Sequence, residues 1–263
     1  MAKINDQDYL RNEQYKTSAN LEARIQLHRR FGTNPYSWFR WVYEQVDPQP
    51  GDRLLEVGCG TGDLWKENRD RYPKDVEFIL GDLSFGMAHQ AFSNLNGHFH
   101  FAELDIQDLP FNGQAFDKIL ANHMLYHVPD LPRAIKELRR LLKRGGSLCT
   151  ATNGSKHMLD LQHLLQDFDP EYKLPILEAR RYTLENGADL LSPEFEVVDV
   201  RIYEDNLKVT EIQPLLDYIL SMNFMFHKTS EAYIMELRKF LQNRLRSQGS
   251  ILIRKSQGVL LAQ

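Results

Sequence analysis

The chain has 263 residues, 42% of them hydrophobic, and 32 Lys and Arg against 36 Asp and Glu leave a formal net charge of -4. That is enough apolar material for one sizeable α/β domain with additions, and the near-balanced charge argues against nucleic acid or an anionic membrane as partner. Two cysteines offer neither a disulfide framework nor a metal cluster, no apolar run approaches the roughly 20 residues of a membrane span, and the first residues lack a secretory core, so a cytoplasmic protein is expected.

Residues 19–31 set Leu21, Ile25, His28 and Phe31 at helical spacings, and 35–46 is a second helix candidate carrying Tyr36, Trp38, Phe39, Trp41 and Tyr43. Pro48-Gln49-Pro50-Gly51 closes this amino-terminal helical cap, residues 1–50. The run Leu54-Leu55-Glu56-Val57-Gly58-Cys59-Gly60-Thr61-Gly62 follows. It reads as a buried strand turning sharply into a loop, where missing β-carbons let the backbone approach a ligand. A helical segment, 63–71, leads to a second strand at 76–80, closed by Gly81-Asp82. Asp82 thus stands at the carboxyl end of that strand, where a carboxylate can accept from both ribose hydroxyls of a nucleoside.

A dinucleotide fingerprint would place a third glycine where Asp63 stands. Glu56, two residues before the first glycine, would repel a pyrophosphate and suits a cationic ligand instead. S-adenosylmethionine (SAM) carries a sulfonium and an amino group, and no phosphate.

A helix at 84–94 with Ser84 as N-cap, strands at 98–104, 116–121 and 147–152, and an amphipathic helix at 131–142 continue the alternation. Such alternation predicts a mostly parallel sheet with helices on both faces. Its crevice lies at the strand carboxyl ends, where Glu56 to Gly62, Asp82, Asp105, Asn122 and His123 converge. Beyond it, 157–168, 177–191, 211–222 and 230–246 read as helices. Residues 195–203 read as a strand, with more strand material at 251–253 and 259–261. One structural domain is expected: the cap, a core at 51–153, and a completion of the sheet at 154–263 carrying an acceptor-side helical cap.

Residues 54–62, 81–87 and 105–128 together resemble class I SAM-dependent methyltransferases, in particular the ubiquinone/menaquinone-biosynthesis-like branch of small-molecule enzymes. The resemblance covers roughly residues 51–153. It implies a Rossmann-like seven-stranded sheet whose last two strands form an antiparallel pair, with the helices near the carboxyl terminus inserted between them. It also implies SAM as cofactor, S-adenosylhomocysteine (SAH) as product, and no metal. On this chain the implied cofactor contacts are Glu56, Gly58, Cys59, Gly60, Gly62, Asp82, Leu83, Met87 and Asn122, with Asp105 and Ile106 on the adenine. Tyr15 or Tyr9 would close over the cofactor from the cap. The loop at 142–146 departs from the family only in Arg144, where proline is usual.

Methyl transfer from a sulfonium chiefly needs an aligned nucleophile and a dry site. A base helps when the acceptor is a hydroxyl or a protonated amine, and His127 and His123, just past the fourth strand, are the candidates. His28 and His157 border the expected pocket as structural histidines, and residues 218–226 could form an apolar acceptor lid. Asn122 is followed by His123-Met124-Leu125, not by the Pro-Pro-aromatic run of nucleobase amino methylation. A small-molecule acceptor, methylated on oxygen, nitrogen or carbon, is therefore expected. The alternatives are a methyltransferase acting on protein or RNA, and a non-catalytic SAM or nucleotide binder.

Overall fold

The computed structural model describes residues 5–15, 18–95, 99–172, 181–222 and 230–263. A short helix α1 (Gln7–Tyr9) runs on into a π-turn over Leu10–Gln14, followed by α2 (Ala19–Phe31) and α3 (Trp38–Val46). Ser37 caps α3 by accepting from the Phe39 amide. The core then alternates as the sequence suggests: β1 (Arg53–Val57), α4 (Asp63–Glu67), β2 (Glu77–Asp82), α5 (Phe85–Asn94), β3 (Phe99–Glu103), β4 (Phe116–Asn122), α6 (Leu131–Leu141) and β5 (Leu142–Asn153). Ser84 caps α5 through the Met87 amide, and Asp130 caps α6 through the Arg133 amide. After β5 come α7 (Leu159–Phe168), α8 (Gly187–Leu191), β6 (Val198–Ile202), β7 (Asn206–Val209), α9 (Ile212–Leu220), α10 (Glu231–Gln248), β8 (Ile251–Arg254) and β9 (Gln257–Ala262).

Seven strands form one sheet in the order β3-β2-β1-β4-β5-β9-β6. The first five are parallel, and β9 runs antiparallel between β5 and β6. The order reverses between β1 and β4, which opens a crevice above their carboxyl ends. Both faces of the sheet are covered, so the parallel strands are apolar on both sides. Leu55, Val57, Ile119 and Ala121 pack on Leu131, Ala134, Ile135 and Leu138 of α6. Their neighbours Leu54, Phe78, Leu80 and Leu120 face Val42, Tyr43, Trp65 and Leu95.

A third core lies apart from the sheet. Leu27 and Phe31 of α2 meet Leu161 and Leu165 of α7, Leu215, Leu216 and Ile219 of α9, and Leu237 and Leu241 of α10. Its floor is a separate two-stranded sheet in which β7 pairs antiparallel with β8, contributing Leu207, Val209, Ile251 and Ile253. The insertion between β6 and β9 is therefore β7-α9-α10-β8, a small layered unit and not a helical pair alone.

Three expectations need correction. Residues 251–253 join β7 and not the main sheet, because alternation in so short a run does not say which partner it takes. Strand β7 went unread, since Asp205-Asn206 looks like a turn. The helix expected over 177–191 is described only at Gly187–Leu191, with a turn over 184–186 before it; residues 177–180 lie outside the described region. His98, expected to begin a strand, and residues 223–226 of the expected lid lie outside it too. Among the described residues no helix is long and apolar enough to cross a membrane.

Candidate active site

A cavity of about 790 Å³ opens at the carboxyl ends of β1, β2 and β4 and runs beneath α2 to the insertion. Of the residues singled out from sequence, Tyr15, Glu56, Gly58, Cys59, Gly60, Asp82, Leu83, Met87, Asp105, Ile106, Asn122, His123 and His127 all line it. Gly62 does not. It holds φ at 75°, and an added β-carbon would meet Leu95 at 2.6 Å, so this glycine serves helix packing against α5.

The glycine loop shapes one half of the cavity. Gly58 and Gly60 have φ of 79° and 54°, which L side chains rarely adopt. Asp82 fixes the loop: its Oδ2 accepts from the Gly60 amide at 3.0 Å, and its Oδ1 accepts from the Ser84 amide at 2.9 Å. Burial raises the Asp82 carboxyl to about 6, against the pull of those two amides. Glu56 is buried and accepts from the Trp65 indole N–H at 2.5 Å. Burial pushes it up to about 8. Two desolvated carboxylates in one crevice, with no cation paired to either among the described residues, form a site that a positively charged ligand relieves. Burial likewise pushes the Cys59 thiol well up, so it is a neutral packing group.

Asp105 is held differently. Burial acts to raise its carboxyl, but the Gln107 amide and side chain, the Gln7 side chain and nearby Arg11 together keep it below the usual range. Gln7 Nε2 donates to Asp105 Oδ2 at 2.9 Å, so the first described helix is tied across the site. Ser84 Oγ donates to the Tyr15 carbonyl at 2.9 Å and fastens the same segment to the end of β2. Leu21 of α2 presses on the glycine loop, 3.1 Å from where a Gly60 β-carbon would stand. The amino-terminal segment is thus the roof of the cavity.

At the end of β4, Asn122 Oδ1 is buried without a hydrogen-bond partner. His123 follows with φ of 53°, and its ring lies 5.3 Å from Trp38 between ring centres. Burial, with Lys255 adding repulsion, lowers the His123 imidazole to about 4. His127 sits on a short 3₁₀ turn over Leu125–His127 and has its Nε2 3.3 Å from the Tyr15 hydroxyl. Arg24 Nη1 donates to that same hydroxyl at 3.4 Å, so the Tyr15 oxygen bridges Arg24 and His127.

The other half of the cavity was only partly foreseen. His28 and His157 do border it, with ring centres 6.2 Å apart, and His28 packs edge-on to Tyr218. Burial holds His157 down to about 3 and His28 well below its ordinary value. Trp38, Tyr203 and Met158 add apolar wall, and the buried ion pair of Lys255 with Asp205 stands behind it. Asp205 Oδ1 also accepts from the amides of Thr33, Asn34 and Asn206 at 2.8, 2.9 and 2.8 Å, tying the loop after α2 to β7. No spacing in the sequence pairs residues 205 and 255. A lysine within three residues of the β9 glycine, next to a strand, was the faint signal available.

Among the described residues no group of three or more His, Cys, Asp or Glu side chains is placed to hold a metal ion. The residues present do fit SAM. The unpartnered Asn122 oxygen, the glycine loop bare of side chains and the buried acids Glu56 and Asp82 match a ligand with an ammonium, a sulfonium and a ribose.

Comparison with known proteins agrees with this geometry. Residues 55–150 match the family model described as "Methyltransferase domain". The ubiquinone/menaquinone biosynthesis C-methyltransferase UbiE of Xanthomonas oryzae is 30% identical over 115 residues, 42% of this chain and 46% of that protein. The Vibrio cholerae enzyme of the same name is 28% identical over 173 residues, 64% of each chain. The chain thus spans about half to two thirds of the length of these curated relatives. Among solved structures, the fold is similar to a Haemonchus contortus phosphoethanolamine N-methyltransferase bound to phosphomonomethylethanolamine and SAH. That match has a TM-score of 0.60 at 16% identity and covers all of this chain and 60% of the other. Over residues 55–150 the chain is thus similar to the methyltransferase family, and its fold is similar to that of solved methyltransferases.

Proposed function

We propose that this protein transfers a methyl group from SAM to a small molecule held in the inner half of the cavity. The observation that carries this reading is the division of one continuous cavity. An acidic, backbone-lined half sits at β1, β2 and β4, and an aromatic and histidine-lined half extends beneath α2 and α9. The roof formed by Gln7 to Tyr15 and α2 favours a small acceptor over a protein or RNA chain.

Bound SAM would supply a methyl carbon activated by its sulfonium leaving group. Asp82 would accept from the ribose hydroxyls and Asn122 Oδ1 from the amino group. Glu56 would contribute negative charge beside them, Asp105 would face the adenine with Ile106 against the ring, and Leu83, Met87 and Gly58 to Gly60 would supply the walls. Alignment and exclusion of water by the roof do most of the work. His127 is the base of choice where the acceptor must lose a proton. The Tyr15 hydroxyl would pass its proton to His127 Nε2 and take the acceptor's. His123, at about 4 and packed on Trp38, is neutral at pH 7 and shapes the acceptor wall.

Labelled SAM offered with a panel of hydroxyl, amine and activated-carbon acceptors, beside peptides and RNA, tests the reading. Transfer to a small molecule is expected, with His127→Gln lowering turnover about 100-fold or more at nearly unchanged SAH affinity. Transfer only to peptide or RNA would overturn the choice of acceptor.

A further inference from the structure

Four cationic side chains line the cavity: Arg11, Arg24, Arg29 and Lys255. Three have a carboxylate. Arg11 faces Glu103 and Arg29 faces Asp63, both at 3.9 Å, and Lys255 is buried against Asp205. Arg24 is the exception among the described residues. Its Nε donates to Ser221 Oγ at 3.2 Å, its Nη2 to the Ser221 carbonyl at 2.9 Å and its Nη1 to the Tyr15 hydroxyl at 3.4 Å. All three acceptors are neutral. A guanidinium has five N–H donors, so two, one on each terminal nitrogen, have no partner among the described residues, and no carboxylate there is paired with the charge. Two N–H groups on one guanidinium suit a carboxylate.

The position of this guanidinium is as informative as its charge. Ser221 closes α9, in the insertion beyond the sheet, and Tyr15 carries the hydroxyl bonded to His127. The acids Glu56, Asp82 and Asp105 lie at the carboxyl ends of the sheet strands, outside the cap that carries Arg24. The cavity is thus electrically polar: negative where a sulfonium and an ammonium would lie, positive at the cap. Arg24 is also held in place by Ser221 before any ligand arrives, so little side-chain freedom remains to be lost on binding.

We propose that the methyl acceptor carries a carboxylate and that Arg24 binds it in bidentate fashion, setting the acceptor's reacting atom beside Tyr15 and His127. This inference rests on the methyl-transfer reading above and adds a substrate class to it: small organic acids, methylated at a group other than the one Arg24 holds.

The test has two parts, and both use the full chain. SAH and methylthioadenosine, which lacks the amino acid moiety, are titrated into wild type and Arg24→Gln. Labelled SAM is then offered with hydroxy and amino acids of the benzoate type, each paired with its primary amide. SAH affinity in Arg24→Gln is expected within about twofold of wild type. Wild type should prefer acids over amides by about tenfold or more, a charge-assisted bond being worth that much. The preference should vanish in Arg24→Gln, persist in part in Arg24→Lys, and survive Ser221→Ala, which loosens the cap contact and keeps the charge. Equal use of acids and amides by wild type would overturn the proposal. So would an Arg24→Gln variant that weakens SAH tenfold and leaves methylthioadenosine unchanged, since that gives Arg24 to the cofactor's own carboxylate. If wild type binds no SAH, the methyl-transfer reading itself fails.

Discussion

The two halves of the cavity are built in different ways. The half at the sheet edge is made by residues close in sequence, Glu56 to Gly60 and Asp82 to Met87, and much of its surface is backbone. The half beneath the cap is made by side chains from four distant segments: His28 and Trp38, His157, Tyr203 and Asp205, and Lys255. The first half is tied to the topology of the fold and can hardly vary. The second is a meeting of insertions, where side chains alone set shape and charge. A fold of this kind therefore keeps its cofactor while its acceptor changes.

The largest expected effect falls on the capped half. Asp205→Ala leaves Lys255 buried and unpaired, and loss of one partner of such a pair costs about 3–5 kcal/mol. Lys255→Met should cost less, because Asp205 keeps three backbone donors. Urea unfolding of both variants tests the asymmetry, and equal losses would mean that the ion pair does not hold the cap as described.

On the sheet-edge half, Gly60→Val should lower SAH affinity more than tenfold, about 1.4 kcal/mol or more. A branched side chain there meets both an unfavourable φ and the Leu21 contact. If the folded variant bound SAH as wild type does, the loop would not face the cofactor.

Proton linkage separates the halves again. Burial sets Asp82 at about 6 in the folded protein, above its ordinary 3.8. Its contribution to stability is then full below about pH 3.8 and lost as pH rises through 6. The ionised carboxylate is the stronger acceptor for the ribose hydroxyls, so SAH affinity should climb as pH rises through 6 and then level off. Asp82→Asn should flatten that rise, which calorimetry at several pH values would show. A smaller effect is expected of Asp105→Asn, since Gln7 and Gln107 already occupy much of that carboxylate. It should weaken SAM and SAH alike, and an effect confined to the acceptor would move Asp105 to the other half.

The same division explains what could be read from the sequence. The strand-loop-helix order from Leu54 to Asp82 has a fixed period, and the glycines mark a backbone turn, so β1, β2, Asp82 and the Ser84 cap were legible. So was the antiparallel close of the sheet, through the resemblance. The partner of Ile251–Arg254 was not, because a four-residue strand carries no label for its neighbour. Gly62 looked like a ligand contact because helix packing and ligand approach both select glycine. Arg24, on the same helix as Leu21 and His28, carries no sequence signal of its own. Its meaning depends on Ser221, 197 residues away, and on the absence of a carboxylate that no sequence pattern reveals.

The central claim, that the acidic half of the cavity binds the SAM nucleoside through Asp82, is tested most directly by titrating SAH and NAD into wild type and Asp82→Ala. The account predicts one SAH per chain, a loss of about ten- to a hundredfold in the variant for a charge-assisted bond of about 1.5–3 kcal/mol, and no binding of NAD. Equal SAH affinity in a folded Asp82→Ala protein, or NAD bound in place of SAH, would contradict it.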